Sequence, residues 1–367
     1  MKITVPTIDF GTSKIVTMVA QSNGERCDIV GSGAVPYSGY LQDGWNNPDE
    51  IRDVIRTAID QAQKTGNCRI HELNVGVPGM FTRVIVKEVH VSLTGPDPHV
   101  TAQDVRACFK LAEESGGDRI IHSAPAWFRV DDGKKTLSPV GIKGRELSAM
   151  IALVTADKYF IDDITYRLRD MDIEPREFYS TVAGEATYAL SQDERDKTAM
   201  LIDIGYLCTD VMVMEGDALI FHKCLDIGGG HISADIAEQL NIPFPFVEEK
   251  IKQTYSFNST NQDETYVIPA TEDEPARTVR RDEVTPIIEA KVEEIAEAIN
   301  KALEEGGVKL GKWSNVYLTG GGLILNKGGK DFLAGKLHRI IREAQRTNNK
   351  MTSHVFSSAV GLTILLV

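Results

Sequence analysis

Two short stretches carry most of the chemistry this chain offers. Residues 7–14 read TIDFGTSK and residues 201–210 read LIDIGYLCTD. Both have the form apolar-Asp-apolar-Gly. A strand that ends on Asp and turns at Gly brings a carboxylate and several backbone N–H groups to one place. Glycine permits close backbone approach, and successive N–H groups in a turn form an anion nest. In the first stretch Gly11, Thr12 and Ser13 supply amides and hydroxyls, and Lys14 supplies positive charge for phosphates. Asp9 is placed to hold Mg2+ through water, since Mg2+ takes few carboxylates and keeps several waters. In the second stretch Asp203 and Gly205 repeat the pattern and would close on the phosphates from the other side. Tyr206 and Leu207 stand there where the first copy has Thr12 and Ser13.

Three further stretches have suggestive spacing. LDIGGGHISADIAEQLNI (225–242) runs Gly228, Gly229 and Gly230 into an amphipathic helical pattern. NVYLTGGGLIL (315–325) runs an apolar strand into Gly320, Gly321 and Gly322. That triplet reads either as a tight turn opening a helix or as backbone approaching a flat nucleoside. VEEKIKQTY puts Glu249 and Lys252 on one helical face at i, i+3 spacing, for which a surface ion pair is the plainer reading. His231 reads as a satisfied residue rather than a catalyst. His122 and His222 sit in no ligand-spaced cluster, so no zinc site is argued from them. Cys208 and Cys224 read as small apolar fillers. Trp127 reads as filler of a local core. Arg280 and Arg281, in a mixed-charge edge, could meet an acidic peptide.

The elements that would position these residues are legible. Ile3–Asp9, KIVTMVAQ and CDIVGSGAV predict three strands with a hairpin at SNGER. AMLIDIG, TDVMVMEG and LIFHKCLDIGGG predict three more, with a hairpin at Gly216-Asp217. The same order in each half is an internal repeat and implies two related α/β halves. Helices are predicted from Asn47-Pro48 to Gly66, after the N-cap Thr101, and from Thr285-Pro286 to Gly306. Between Phe257 and Glu283 a weak hairpin is expected, with TYVIP and ARTVRR as strands.

Composition narrows the class. At 367 residues and 42% apolar content the chain is long enough for more than one unit with a real core. The net charge of −13 and the lack of a basic tract argue against nucleic acid as main partner. Five scattered cysteines with no CxxC pair fit reduced thiols in a cytosolic protein. No apolar run approaches the ~20 residues of a membrane span, and no secretory signal is expected because Asp9 arrives too soon.

The order DFGTSK, LIDIG with TD, GGGHISADIA, EEKIK and VYLTGGG resembles the actin-like ATPase superfamily. VGSGAVPYSGYLQDGWNNPDEIRDVIRTAIDQAQ, LNVGVPG, GGGHISADIAEQLNIPFPFVEEKIKQTY, ARTVRRDEVTPIIEAKVEEI and SAVGLTILL resemble its bacterial cell-division family FtsA. The resemblance implies an α/β, actin-like (ribonuclease H-like), duplicated two-lobe fold with an FtsA-type, SHS2-like inserted subdomain. It assigns 1–83 and 328–367 to the first lobe, 84–165 to the inserted subdomain, 166–240 and 309–327 to the second lobe, and 241–308 to a second-lobe insertion. It implies ATP and Mg as cofactors, with Asp9 and Asp203 as the catalytic carboxylates that hold Mg through water. Asp9, Gly11, Thr12, Ser13 and Lys14 would form the first phosphate turn, and Asp203, Gly205, Thr209 and Asp210 the second. Gly228 to Gly230 would line the nucleotide site, Glu249 and Lys252 would meet the ribose and adenine edge, and Gly320 to Gly322 the adenosine. It further implies self-association into filaments, contacts with other division proteins through the inserted subdomain, and binding of the tail of tubulin-like FtsZ by the second-lobe insertion. The family works in the cytoplasm, at the inner face of the membrane at the division site.

Three departures from that pattern shape the expected function. The family form of the second turn is Asp-x-Gly-Gly-Gly-Thr-Thr-Asp, so Tyr206 and Leu207 should weaken the grip on the terminal phosphate. The stretch that should orient an attacking water is YSTVAGEATYAL, with Ser180, Thr181 and, nearby, Glu185. Hydrolysis is therefore expected to be slow or absent. AVGLTILLV lacks a basic-aromatic amphipathic pattern, so the membrane is expected to be reached indirectly or through a helix outside this sequence. Two other readings compete: a pilus-assembly adaptor like PilM, and an active kinase or ATPase of the same superfamily, for which no catalytic Asp beyond the two turn aspartates is found.

Overall fold

The apolar residues that flank the first Asp-x-Gly turn are buried close to it. Ile8, Phe10, Ile15, Met18 and Val19 are all inside, as central strands covered on both faces require. The computed structural model describes residues 3–23, 27–41, 44–117, 119–261, 263–270, 275–311, 314–344 and 353–366. In chain order the first elements are β1 (Ile3–Phe10), β2 (Lys14–Ser22), β3 (Cys27–Pro36), the short pair β4 (Tyr40–Leu41) and β5 (Gly44–Trp45), α1 (Ile51–Gly66) and β6 (Glu72–Val77). Next come β7 (Thr82–Ser92), α2 (Ala102–Glu114), β8 (Ile120–Val130), β9 (Glu146–Ala156), α3 (Lys158–Arg169), β10 (Glu174–Ser180), α4 (Thr181–Ala189) and α5 (Gln192–Arg195). They are followed by β11 (Ala199–Ile204), β12 (Thr209–Glu215), β13 (Ala218–Leu225), α6 (Gly229–Leu240), α7 (Phe244–Phe246) and a π-helical turn over Val247–Lys252. The chain closes with β14 (Thr265–Ile268), β15 (Arg277–Arg280), α8 (Arg281–Glu305), β16 (Asn315–Thr319), α9 (Gly329–Leu337), β17 (Ile341–Glu343) and α10 (Ser357–Leu365).

Duplication is visible in the sheet orders. One five-stranded sheet runs β3-β2-β1-β6-β10 and the other β13-β12-β11-β16-β17. Each is the same path: third, second, first, fourth, fifth strand. The first three strands of the first sheet pair antiparallel, and β6 joins β1 in parallel. β10 joins β6 and β17 joins β16, again in parallel.

The chain forms two compact units: Met1–Leu201, Met212–Lys223 and Gln345–Val367 in one, Ile202–Val211 and Cys224–Ala344 in the other. In the first unit α1 lays Ile51, Ile55, Ala58, Ile59 and Ala62 onto the sheet. A separate antiparallel sheet, β7-β9-β8, carries α2 on one face. Phe128, Leu147, Ala149, Ile151 and Leu153 fill its core with Cys108 and Ala112 of the helix. Thr101 caps α2 as expected, in a capping box with Asp104.

Several sequence expectations shift. Residues 166–189 were assigned to the second lobe, yet β10 pairs Phe178 with Val75 and Ser180 with Val77 in the first sheet. α3 likewise buries Phe160, Ile164 and Leu168 in the core with Ile8 and Val75, although its first part was counted with the inserted subdomain. Residues 328–344, assigned to the first lobe, form α9 and β17, and β17 extends the second sheet. Short strands of mixed polarity do not name their partner in sequence, and backbone pairing decides it. α1 starts at Ile51, not at the Asn-Pro step. α8 starts at Arg281, ahead of Thr285-Pro286: Glu283 accepts the Arg280 N–H at 2.9 Å, and buried Arg281 is held by Glu264 at 3.0 Å. Pro286 is tolerated inside the helix because the carbonyl it leaves unpaired belongs to exposed Asp282. Arg281 is thus no surface contact for a peptide, and exposed Arg280 pairs with Asp282. The expected β14–β15 hairpin forms, Tyr266 against Val279. Trp127 sits outside the main core of its sheet, in a small cluster with Ala124, Ala126 and Ala218, where Lys135 lies 4.7 Å and Arg129 5.3 Å from the ring centre. The SNGER turn and the start of EDEPARTVRR fall on residues 24–26 and 272–274, outside the described residues. Among the described residues no helix is long and apolar enough to cross a membrane.

The closing helix α10 packs on α4 and β1. A methyl carbon built on Gly361 would lie 2.5 Å from Glu185 Cα, so the two helices meet backbone to backbone. Gly361→Val should therefore lower stability by about 2–3 kcal/mol, read as a lower urea midpoint. Gly335→Ala, with open space around it in α9, should raise stability by about 0.5–1 kcal/mol.

Candidate functional site

β1 delivers Asp9 and Phe10 to the first turn, and β2 leaves it at Lys14. Asp9 faces Val16 and Phe10 faces Ile15 across the ladder. The Gly11 N–H donates to the Lys14 carbonyl at 2.9 Å and closes the turn. Ser13 is held by its carbonyl, which accepts the Tyr37 N–H at 3.0 Å. Tyr40 donates to the Phe10 carbonyl at 2.8 Å. Asp9 and Thr12 are buried, while Ser13 and Lys14 are half-buried. The Lys14 ammonium lies 5.2 Å from the Phe356 ring centre. Burial pushes the Asp9 carboxyl up to about 6, against the pull of a hydrogen bond from Ser358, the Lys14 charge and the Phe10 backbone. Ser358, from α10, is a partner that the Asp-x-Gly motif did not point to.

The second turn has the same geometry. The Gly205 N–H donates to the Cys208 carbonyl at 2.9 Å, matching the Gly11–Lys14 bond. Tyr206, Leu207 and Cys208 thus stand in the places of Thr12, Ser13 and Lys14. Thr209 is fully buried and its hydroxyl donates to the Ile227 carbonyl at 2.7 Å.

The glycine triplets pack directly on this turn. Gly229 N–H donates to the Gly205 carbonyl at 2.9 Å, Gly230 N–H to Tyr206 at 2.7 Å, and Gly322 N–H to Ile204 at 2.7 Å. A methyl carbon on Gly229 would lie 2.4 Å from Gly322 Cα, and one on Gly322 2.4 Å from the Gly205 oxygen. Gly320 adopts φ +88°, and a methyl carbon there would lie 2.0 Å from the Asp203 carboxylate. The three segments need glycine for contact with each other, a demand separate from any nucleoside. Gly228 caps α6, and its N–H donates to His231 Nδ1 at 3.0 Å. That bond makes His231 a capping residue.

Lys252 departs from its expected pairing. It is 6% exposed, and its ammonium meets Glu248 at 3.2 Å, not Glu249. Glu249 points outward and is exposed. The π-helical turn over Val247–Lys252 is wider than an α turn, so residues four apart stack where three was assumed. Ser233 donates to the same Glu248 carboxylate. The Tyr206 ring centre lies 5.8 Å from the Lys252 ammonium. Burial lowers the Lys252 pKa and Glu248 opposes it, while burial and the Glu248 charge raise Tyr206. Glu248 and Tyr206 are the members sequence spacing missed.

The residues considered for orienting water are engaged elsewhere. Ser180 caps α4, Thr181 donates to the Val77 carbonyl at 3.1 Å, and buried Glu185 accepts from Ser357. Cys208 and Cys224 are not isolated fillers, since both lie beside Asp210. The donor set of the first turn suits Mg2+ and phosphate: a carboxylate, hydroxyls, backbone N–H groups and an ammonium. The second turn offers a phenol, an alkyl group and a thiol at the matching places, a poor set for phosphate.

Two family models match the chain: "Cell division protein FtsA" over residues 200–361 and "SHS2 domain inserted in FTSA" over residues 79–155. The chain is 26% identical to cell division protein FtsA of Pseudomonas aeruginosa over 320 residues, covering 86% of this chain and 76% of that protein. It is 26% identical to FtsA of Bacillus subtilis over 306 residues, 82% and 70% of the two chains. Against FtsA of Escherichia coli K12 it is 24% identical over 328 residues, 86% and 77%. Among solved structures it resembles the PilM-PilN type IV pilus biogenesis complex, with a TM-score of 0.66 and 17% identity over 99% of this chain and 98% of that one. It also resembles MreB 5 of Spiroplasma citri bound to AMPPNP, with a TM-score of 0.58 and 11% identity over 99% and 95%. The fold is that of the actin-like ATPases.

Two predictions follow from the side-chain geometry. Keeping Asp9 ionised in its buried place costs about 3 kcal/mol at neutral pH. Because its folded pKa is raised, its favourable contribution is complete below about pH 4 and lost as pH rises through about 6. Asp9→Asn should therefore raise the urea midpoint clearly at pH 7.5 and little at pH 4.5. Glu248→Gln should cost about 2–3 kcal/mol by leaving the Lys252 charge buried and unpaired, discounted for the partial exposure of Glu248. Glu249→Gln should change stability by less than about 0.5 kcal/mol in the same urea titration.

Proposed function

Because the chain belongs to the FtsA family of actin-like cell-division proteins, we propose that it is a division scaffold that binds ATP with Mg2+ chiefly through its first turn and hydrolyses it slowly or not at all. The observation that carries this reading is the pair of turns. Both are closed by the same 2.9 Å backbone bond, yet only one keeps hydroxyls and a lysine. Asp9 would hold Mg2+ through water, and Gly11, Thr12, Ser13 and Lys14 would take the phosphates. Asp203, Gly205, Thr209 and Asp210 would contribute the weaker second grip, with Lys252 and the glycine segments beside the nucleoside. The bound ion would neutralise phosphate charge. Engagement of Ser180, Thr181 and Glu185 within the fold supports slow hydrolysis, because none is left to orient a water.

As a scaffold the chain would self-associate into filaments, bind other division proteins through the β7-β9-β8 subdomain, and take the C-terminal tail of FtsZ on its second-lobe insertion. A surface groove there offers apolar Leu240, Pro286 and Ile287 for the tail's apolar side chains, beside Asp235 and Glu294, which both pair with Lys291. The place of action would be the cytoplasmic side of the division site.

Calorimetry tests the nucleotide reading. Mg-ATP should bind the chain, and Asp9→Ala should abolish binding. Tyr206→Gly/Leu207→Gly should bind at least about tenfold tighter, a gain of about 1.4 kcal/mol. Equal affinity in the wild type and the glycine variant would show that the altered turn does not limit binding. A peptide of the FtsZ tail should bind as well. Binding only to a pilus partner's N-terminal peptide would favour the PilM-like adaptor, and phosphoryl transfer to a sugar would favour a kinase.

A further inference from the structure

The second turn and the strands on either side of it hold two thiols that nucleotide binding does not use, beside Asp210, a carboxylate of the weaker second grip. Cys208 closes the turn, Asp210 lies two residues further along β12, and Cys224 comes from β13. Two sulfur atoms and a carboxylate oxygen all lie within 4.8 Å of one another. Cys208 is 8% exposed, and Asp210 and Cys224 are half-buried. Both cysteines are free thiols.

These three groups are of one electrical kind. Each ionises to an anion, so each opposes ionisation of the others. The Cys224 thiol accordingly stands well above its ordinary pKa, through its hydrogen bond to Cys208, burial and the Asp210 charge. A dication reverses that opposition by binding the deprotonated forms together. Thiolates select soft or borderline metals, and two thiolates with one carboxylate suit Zn2+ better than Mg2+. Tetrahedral Zn2+ with bonds of about 2.3 Å to sulfur and about 2.1 Å to oxygen sets its ligands roughly 3.5–3.8 Å apart. Closing the cluster from 4.8 Å to that spacing needs side-chain movements of about 1 Å.

We propose that Cys208, Asp210 and Cys224 bind a thiophilic divalent cation such as Zn2+, leaving a fourth position open, and that the ion ties the second phosphate turn to β13. Each binding event converts two thiols to thiolates and releases their two protons, with no change of oxidation state. The tie acts on the turn directly, because the Cys208 carbonyl is the acceptor that closes it.

The test uses the full chain, kept reduced and stripped of metal. Titration with Co2+ should give a thiolate-to-cobalt charge-transfer band that saturates at one ion per chain, and Zn2+ should displace it. Unbuffered titration with Zn2+ at pH 7.5 should release close to two protons per ion. Both are read on the unaltered protein, so they stand even if a variant fails to fold. Cys208→Ser and Cys224→Ser should each weaken Zn2+ binding by at least about 100-fold, and Asp210→Asn by about 10-fold. Cys27→Ser should leave it unchanged. Absence of the band, or a band that persists in Cys208→Ser/Cys224→Ser, overturns the proposal. So does a reduced protein that takes up no metal while air oxidation joins Cys208 to Cys224.

Discussion

Three backbone hydrogen bonds, from Gly229 to Gly205, from Gly230 to Tyr206 and from Gly322 to Ile204, hold the second unit's loops to the end of β11. They form only because no Cβ stands between the strands. Contacts of 2.4 Å for a methyl carbon on Gly229 or Gly322 leave no room for any other residue. The glycine triplets are therefore packing surfaces before they are ligand surfaces. Once these loops are fused, the start of α6, its capping His231 and the buried Lys252–Glu248 pair are all carried on one backbone platform. Glycine in such places is fixed by close approach as firmly as by any bound nucleotide.

Duplication and divergence can be separated on the same footing. The sheet order and the bond that closes each turn are properties of the backbone, and both halves keep them. The side chains on the turns have parted. The first copy retains Thr12, Ser13 and Lys14 around a buried Asp9 whose ionisation is opposed by burial. That opposition is a cost to folding at neutral pH, accepted where a carboxylate faces a cation. In the second copy an aromatic ring occupies the matching surface, beside Lys252, and a thiol replaces the lysine.

This asymmetry accords with the chain's similarity to cell division protein FtsA and with a fold it shares with the PilM-PilN pilus biogenesis complex and MreB 5. The inserted β7-β9-β8 sheet has a self-sufficient core with α2, so it can vary its outer face without disturbing the turn that holds Asp9.

The sequence by itself determined the repeated Asp-x-Gly turns, the strands around them, the capped helix α2 and the membership of the family. These depend on local periodicity and on residue types whose backbone preferences act at short range. Tertiary structure decided which sheet received β10 and β17, since edge strands pair by what lies beside them. It also decided that Lys252 takes Glu248, because a π turn alters which residues stack. It brought Cys208, Asp210 and Cys224 together across neighbouring strands, and it set Gly228–Gly230 and Gly320–Gly322 against the second turn. Apart from the Lys252–Glu248 pair within one turn, each of these is a contact between segments distant in sequence, and no short-range preference encodes the distance across which they meet.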